Sequence, residues 1–423
     1  MAILLLGVAL RLLFFGHTAD DAYITFRYAR NLVDGKGFVY NPGERVLGIT
    51  NPLYGLMIAA GMLFGIDPVI FSKVVGLAGF LVIGLAGWKF LKKTYGDLAA
   101  YAFVLMLSVD HYTARWFMSG METAVFSSLV FVSCTLFLEG KELPAGILAG
   151  LSIFVRPEGG FFLPVMFLLS KEKKRIMPGV LIAGLLFVFS QAFYGFPIPY
   201  SIYAKSVLNE GGPGNIVESG YHLLNFILKE PFPAFFLMFM SRELLVFVAS
   251  PLLVFLSYFA MRAPVFFWYY APYYPLFFLG ASVGLLRVAK GIKGSSKYFV
   301  AAVLLFISVH QIGFAARELY LQRDALADAN VYKEFAVNAS GKIAAGDIGI
   351  IGYYSGQYVF DLAGLVSPRA LECRVDGMME GCIIELDPDY FVVRKGSFQE
   401  ELANTAGCNN EIGETDLHYF YEC

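Results

Sequence analysis

Two adjacent carboxylates stand where the first apolar run of the chain gives way to polar sequence. The run covers residues 1–15, and the stretch that follows, "GHTADDAYITFRYARN" (Gly16 to Asn31), contains Asp20 and Asp21. The letters "DDAYITFRYARNL" predict a helix with Asp20 near its N-terminus, where an aspartate cap and negative charge are favourable. Capping explains one aspartate but not two, so the pair is a candidate for proton-transfer chemistry.

Cationic and aromatic side chains share the predicted helix with the aspartates. Residues three and four apart face the same side of a helix, so Ile24, Arg27 and Tyr28 continue one row. Glycosyl transfer from a sugar phosphate needs two groups. A carboxylate takes the proton of the acceptor hydroxyl, and a cation stabilises the departing phosphate. Nucleotide sugars are not available outside the cell, so such a donor would be lipid-linked. The alternative is a capped, salt-bridged surface helix without a catalytic role.

The overall composition indicates a polytopic membrane protein. The chain of 423 residues is 57% hydrophobic and 16% charged, and its mean hydropathy of +0.62 exceeds that of soluble globular proteins. A net charge of −2, without a long basic block, excludes a nucleic-acid partner. The first apolar run resembles a signal peptide. Because it lacks a basic start and a small-residue cleavage site, we expect a retained helix.

Apolar runs bounded by charged residues, proline or glycine predict about nine to eleven membrane crossings, with eleven favoured. The runs lie near residues 1–15, 69–88, 95–109, 123–138, 143–155, 160–170, 176–194, 244–260, 264–286 and 297–314. Basic loops such as "KEKKR" mark the cytoplasmic side, which places the loop 16–68 outside. The apolar stretch Asn51 to Gly65 is then a juxtamembrane or re-entrant helix, and the stretch 222–262 crosses twice or not at all.

The same topology brings further polar and aromatic residues to the outer side. They come from the sequences "HYTARWFMSGMET", "VRPEGG", "GFPIPYSIYAKS" and "RAPVFFWYYAP". A single charge in an interfacial loop is most often structural, so the signal is their gathering on one face. Arg156 also has an alternative role as a structural clamp on Glu122 or Glu158. The candidates for substrate binding are Arg27, Tyr28, Arg115, Glu122, Arg156, Glu158, Lys205, Arg262, Tyr269 and Tyr270.

The composition changes near Ala316, where charged residues become frequent. We predict a membrane module over 1–315 and a small extracytoplasmic α/β domain over 316–423, in which "KIAAGDIGIIGYY" and "YFVV" form strands. Four of the five cysteines fall in this domain. They form either two disulfides, with Cys373–Cys382 and Cys408–Cys423 as the shortest closures, or four free thiols. No cysteines and histidines have metal-ligand spacing, so we predict no metal site.

Motifs along nearly the whole chain resemble those of the GT-C membrane glycosyltransferases, particularly the branch of cell-wall arabinofuranosyltransferases. The motifs are "TADDAYITFRYARNLVDGKGFVYNPGERVLGITNPLYGL", "SGMET", "VRPEGG", "YSIYAKS", "FWYYAPYYP" and "GDIGIIGYYSGQYVFDLAGLVSP". The resemblance implies a polyprenyl-phosphate-linked sugar donor and an inverting transfer to a glycan, lipid or protein acceptor on the extracytoplasmic side of the cell membrane.

The resemblance also implies site roles. Asp20, the first aspartate of the pair, corresponds to the general base, with Asp21 as its neighbour. No organic cofactor is implied, and relatives differ in their use of a divalent metal, which the aspartate pair alone does not indicate. The chain departs from the pattern at "PYS" (Pro199 to Ser201), where relatives have an Asn-Thr type of sequence. The identity of the sugar and of the acceptor therefore stays open.

Two other functional classes compete with the enzyme. A transporter or flippase of lipid-linked sugars would carry ionisable groups near the bilayer midplane and often internal repeats, whereas this sequence has no repeat and its charges lie at segment ends. A carbohydrate-binding or scaffold protein would not need the intact aspartate pair. The position of Asp20 and Asp21 distinguishes these classes, because a surface cavity favours the enzyme and a midplane cavity favours transport.

Overall fold

The computed structural model describes residues 2–208, 220–221, 244–260, 266–292 and 296–423. These residues form a mainly helical protein with a small sheet near the C-terminus, as the composition predicted. The uncertain stretch 222–262 lies largely outside the described residues. Arg262, one of the predicted binding residues, also lies outside them.

Helices account for most of the described chain, because apolar runs with few β-branched clusters favour helical backbone. The helices, numbered within the described residues, are α1 (Ala2–Leu13), α2 (Asp20–Val33), α3 (Pro52–Leu63), α4 (Pro68–Tyr95), α5 (Asp97–Val109), α6 (His111–Phe117), α7 (Thr123–Leu138), α8 (Glu142–Ile153), α9 (Phe162–Leu169), α10 (Met177–Tyr194), α11 (Tyr200–Leu208), α12 (Leu245–Ala260), α13 (Tyr274–Gly291), α14 (Ser296–Asn338), α15 (Gly349–Ser355), α16 (Pro368–Val375), α17 (Met379–Leu386) and α18 (Phe398–Thr405).

Three of the described helical stretches are long and apolar enough to cross a membrane by themselves. They are Pro68–Tyr95, Lys173–Tyr194 and Tyr298–Asn338, and seven shorter apolar helices accompany them. The predicted number of crossings stays a prediction. The last of the long helices is continuous through residue 316, where the sequence predicted a domain to begin.

Two compact units make up the described chain, and each takes segments that are distant in sequence. The first unit combines Met1–His17, Val69–Leu186 and Gly211–Tyr320. In it the buried Arg11 donates hydrogen bonds to the backbone oxygen of Leu107 (3.1 Å) and to Oγ1 of Thr113 (2.9 Å), which ties α1 to α5 and α6.

The second unit combines Thr18–Pro68, Phe187–Glu210 and Leu321–Cys423. The segment Thr18–Pro68 and the C-terminal segment thus form one body, within which α2 packs against α3 and α15. The predicted juxtamembrane stretch after Asn51 is the helix α3 of this unit.

A five-stranded mixed sheet organises the C-terminal part of the second unit. Its strand order is β2-β1-β3-β5-β4, with β1 parallel to β2 and β3, and β5 antiparallel to β3 and β4. The strands are β1 (Ile343–Ala345), β2 (Val359–Asp361), β3 (Tyr390–Arg394), β4 (Asn410–Glu414) and β5 (His418–Glu422). The predicted disulfides Cys373–Cys382 and Cys408–Cys423 are both formed, which confirms that alternative over free thiols.

One predicted strand is wrong in its second half. "KIAAGDIGIIGYY" contributes β1, but its last letters form the helix α15 (Gly349–Ser355). The reason is tertiary, because the first N–H groups of α15 meet a carboxylate from α2, and a glycine at position 349 lets the two segments approach closely.

Candidate active site

The Asp20 carboxylate accepts hydrogen bonds from the first backbone N–H groups of α15, a helix that lies far away in the sequence. Its Oδ1 accepts a hydrogen bond from the backbone N–H of Ile350 (2.7 Å), and its Oδ2 accepts one from the backbone N–H of Gly349 (2.8 Å). The helix α2 begins at Asp20, as predicted, but no side chain caps it. The expected capping role of Asp20 in its own helix is therefore wrong, because its oxygens serve the N-terminus of α15 instead.

Gly349 makes this grip sterically feasible. A Cβ atom at position 349 would lie 2.5 Å from the backbone carbonyl carbon of Asp20 and 2.6 Å from its Oδ2. Both distances are below the 3.0 Å that real Cβ contacts essentially never break. Only glycine leaves room for the carboxylate and the two N–H groups to meet at hydrogen-bonding distance.

The surroundings of Asp20 favour its protonated form. Burial, together with the negative charges of Asp347 and Asp21, raises the pKa of Asp20 to about 7, although the N–H groups of Ile350 and Gly349 act in the opposite direction. Asp20 is partly buried, whereas Asp21 is exposed. A carboxyl with a pKa near neutrality is suited to accept and release a proton at physiological pH.

Arg27 acts as a clamp inside the second unit. Its guanidinium donates to the backbone oxygens of Tyr40 (2.7 Å), Gly352 (2.8 Å) and Gln357 (2.6 Å), and to Oδ1 of Asn41 (3.1 Å). The side chain is buried and lies over the ring of Tyr40. We assign it a structural role, which differs from the phosphate contact that the sequence suggested.

Tyr28, also predicted to bind substrate, is fully buried. Its hydroxyl donates to the backbone oxygen of Val46 (2.7 Å) and accepts from the backbone N–H of Gly48 (2.8 Å). The hydroxyl thus both donates and accepts within the loop that follows α2, so Tyr28 holds that loop against α2. Lys205 belongs to the same unit and is partly buried in the last turn of α11.

A buried ion triad lies in the first unit. Arg156 donates to Oε1 of Glu122 (3.2 Å) and to Oε1 of Glu158 (3.1 Å), and its guanidinium lies 5.3 Å from the ring of Tyr269. The hydroxyl of Tyr258 also meets Glu158. This geometry confirms the clamp that the sequence allowed for Arg156.

Two polar atoms beside the triad remain available. Within the described residues, Oε2 of Glu158 and the hydroxyl of Tyr273 are buried without a hydrogen-bond partner, and burial of such groups is costly unless a partner arrives. Tyr270, predicted to bind substrate, is instead buried against the ring of Phe255.

Arg115 pairs with a residue that the sequence analysis did not single out. It meets the carboxylate of Glu318, and its guanidinium lies 5.2 Å from the ring of Trp116. Trp116 in turn contacts Trp268, which stacks on Phe266. Arg115 therefore borders an aromatic cluster in the first unit, with its side chain 26% exposed.

Sequence reasoning missed the residues that lie behind Asp20. Asp347 stands next to it, and His418 from β5 contacts Asp347. Asp347 belongs to the motif "GDIGIIGYY" that carries part of the family resemblance, so that motif was the available signal. No motif pointed to His418. Among the described residues, no group of three or more His, Cys, Asp or Glu side chains is arranged to hold a metal ion.

Comparison with solved structures identifies the fold. The chain matches ArnT from Cupriavidus metallidurans, whose structure is bound to undecaprenyl phosphate, with a TM-score of 0.64 and 14% identity over 99% of this chain and 97% of that one. It matches the oligosaccharyltransferase AglB from Archaeoglobus fulgidus, in complex with an inhibitory peptide and a dolichol-phosphate, with a TM-score of 0.55 and 11% identity over 93% and 69%. The predicted GT-C fold is therefore confirmed.

The sequence relatives match a smaller part of this chain than the solved structures do. The chain is 26% identical over 223 residues to a terminal β-(1→2)-arabinofuranosyltransferase of Mycobacterium tuberculosis. The match covers 45% of this chain and spans about a third (35%) of the length of that relative. A family model described as a domain of unknown function (DUF8728) matches residues 319–420, which include β1 to β4 and the first three residues of β5.

Proposed function

We propose that this protein is an integral-membrane glycosyltransferase that moves a sugar from a polyprenyl-phosphate donor to a hydroxyl acceptor on the extracytoplasmic side. The observation that carries the proposal is the Asp20 carboxylate, held by two backbone N–H groups and tuned to a pKa of about 7, on a GT-C fold. The arabinofuranosyltransferase relative and the lipid-phosphate ligands of the two structural neighbours support the donor class.

In the proposed reaction Asp20 is the general base. The acceptor hydroxyl gives its proton to the carboxylate while its oxygen forms a bond to the anomeric carbon of the sugar. The bond from that carbon to the phosphate oxygen breaks, and the polyprenyl phosphate leaves with the electron pair. Because attack comes from the face opposite the leaving group, a single displacement inverts the anomeric configuration. Asp20 then releases its proton to water.

A departing phosphate needs a cation or other hydrogen-bond donors. Within the first unit, the side chain of Arg115 is partly exposed, and its Nε–H lacks a hydrogen-bond partner in the described residues. The substrate contacts predicted from the sequence stay predictions.

The proposal is tested with the full-length protein, purified in detergent and supplied with a panel of polyprenyl-phosphate sugars and hydroxyl acceptors. We expect the wild type to consume one donor and to release polyprenyl phosphate. Asp20→Asn should lower turnover by about 10²–10⁴-fold, the usual cost of losing a general base. Asp34→Asn is the control, because Asp34 directly follows the last residue of the same helix and lies in an exposed pair with Lys36.

Asp20→Asn changes both the charge and the hydrogen bonding at position 20. The amide nitrogen of Asn at position 20 would face a backbone N–H group, so one of the two hydrogen bonds is lost along with the charge. Asp20→Glu keeps the charge and should retain more turnover than Asp20→Asn if proton transfer is the function. Full turnover by Asp20→Asn with loss in Asp21→Asn would move the base to Asp21. If the protein, reconstituted into vesicles, moves a labelled polyprenyl-phosphate sugar across the vesicle membrane without consuming it, the protein is a flippase instead.

A further inference from the structure

An aspartate and a histidine make a polar contact at the turn that precedes the helix contacted by Asp20. Asp347 precedes Gly349 by two residues, and its Oδ2 lies 3.0 Å from Nε2 of His418. The Asp347 side chain is 55% exposed, whereas that of His418 is 4% exposed. The half-exposed carboxylate is therefore held from its inner side by a buried imidazole.

His418 is itself fixed by two elements. It is the first residue of β5, its backbone N–H donates to Oγ1 of Thr415 (3.0 Å), and its ring meets the buried ring of Tyr332 from α14 edge-on at 5.5 Å. Its register partner on β3 is Arg394. Within the described residues Nδ1 is buried without a hydrogen-bond partner, so the polar contact of the ring is made by Nε2.

Asp347 is at the same time an electrostatic neighbour of Asp20. After burial, the charge of Asp347 is the largest contribution that raises the pKa of Asp20, ahead of the charge of Asp21. Among the described residues, the titratable groups in electrostatic contact with Asp20 include Asp21, Asp347 and the hydroxyls of Tyr23, Tyr40 and Tyr332.

We propose that Asp347 and His418 are positioning residues for Asp20. The pair holds the turn before α15, whose first N–H groups donate hydrogen bonds to the Asp20 carboxylate. It also keeps the negative charge of Asp347 in the surroundings of that carboxylate. The contact between Nε2 of His418 and Oδ2 of Asp347 fixes the position of the Asp347 carboxylate. This role rests on the proposed function, since it concerns the proposed general base.

The pH dependence of turnover tests the role of Asp347. Asp347→Asn removes the neighbouring charge with little change of shape, so the acid limb of the turnover profile should move to lower pH by about one unit. A base with a pKa of 6 in place of about 7 is roughly fivefold more ionised at pH 6, so turnover at pH 6 relative to the plateau should rise about fivefold. A purely structural role would lower turnover at every pH and leave the limb in place.

Variants of His418 test the other half of the pair. His418→Phe keeps a ring against Tyr332 but removes the donor to Asp347, and should lower kcat about tenfold with an unchanged acceptor KM. His418→Gln can still donate an N–H and should recover part of that loss. Glu414→Gln is the control, because it removes an exposed ion pair with Lys395 on the same sheet and should change neither kcat nor the limb.

Thermal unfolding gives a readout that does not need activity. The pKa of Asp20 in the folded protein lies above its ordinary value of 3.8, so the folded state holds the proton more tightly and Asp20 costs stability as the pH rises towards 7. The unfolding midpoint should therefore fall between pH 5 and pH 7 in the wild type, and fall less in Asp347→Asn. Asp347→Ser gives the same comparison if the asparagine variant does not fold.

The outcomes separate this inference from the proposed function. If the wild type consumes no donor, the proposed function fails, while the thermal comparison still tests the coupling of Asp347 to Asp20. If the wild type is active but Asp347→Asn shifts neither the acid limb nor the slope of the unfolding midpoint with pH, the positioning role is overturned. Equal kcat in His418→Phe and the wild type would remove His418 from the assignment.

Discussion

The close approach of α15 to Asp20 predicts a large effect for a single methyl group. In Gly349→Ala the new Cβ would lie 2.5 Å from the carbonyl carbon of Asp20 and closer still to its carbonyl oxygen, so the helix must retreat by at least the 0.9 Å that separates 2.5 Å from the 3.4 Å where ordinary contact begins. If α15 retreats by that amount, the hydrogen bonds of 2.7 and 2.8 Å to Asp20 lengthen to about 3.6 Å and beyond. At that length they no longer count as hydrogen bonds.

The magnitude follows from the lost contacts. Two hydrogen bonds to an ionised group and the overpacked backbone together should lower the free energy of unfolding by about 3 kcal/mol, seen as a fall of about 5 °C in the unfolding midpoint. A displacement of about 1 Å at a catalytic group costs roughly 10²-fold in rate. Gly349→Ala should therefore lose donor turnover by about that factor.

A matched glycine separates this effect from a general response to alanine. Gly381 lies in α17 of the same unit with no atom within 4 Å of its ideal Cβ position. Gly381→Ala should leave turnover unchanged and raise stability by about 0.5–1 kcal/mol through helix propensity. Turnover and an unfolding midpoint in Gly349→Ala equal to those of Gly381→Ala would refute the reasoning. A lower unfolding midpoint with full turnover would show that the reaction does not depend on the hydrogen bonds from Gly349 and Ile350 to Asp20.

Three further perturbations test other parts of the structure. Arg27→Gln leaves backbone oxygens of the loop 34–51 and of the C-terminal segment without donors, so the free energy of unfolding should fall by about 2–4 kcal/mol, and an unchanged midpoint in thermal unfolding would contradict the structural role of Arg27. Cys382→Ser opens the link to Cys373, a separation of nine residues, and should lower the free energy of unfolding by about 3 kcal/mol. A reducing agent should then destabilise the variant less than the wild type, because the variant has only the Cys408–Cys423 disulfide left to lose. Cysteines introduced at the exposed positions Lys36 and Asn330 should both react with a membrane-impermeant thiol reagent in intact cells, and labelling of only one would break the topology inferred from the basic loops.

The aspartate pair illustrates how far local sequence reaches. The letters after the first apolar run were sufficient to predict a helix that begins at Asp20, because charge preferences at helix ends act over a single turn. Hydropathy and motif order likewise predicted a helical membrane protein with a GT-C-like fold. Cysteine spacing gave the two disulfides as one of two alternatives, and the structure decided between them. These features depend on composition or on neighbours within a few residues.

The partners of the site residues were beyond that reach. The N–H groups that hold Asp20 lie 329 and 330 residues further along the chain, and the carbonyl oxygens of Gly352 and Gln357 that hold Arg27 are 325 and 330 residues away. No local preference encodes such pairings, because backbone N–H and C=O groups are the same at every residue. The sequence alone therefore identified Asp20 and Arg27 as notable. Only the packing of α15 against α2 decided that the Asp20 carboxylate accepts hydrogen bonds from backbone N–H groups and that the Arg27 guanidinium donates to backbone oxygens.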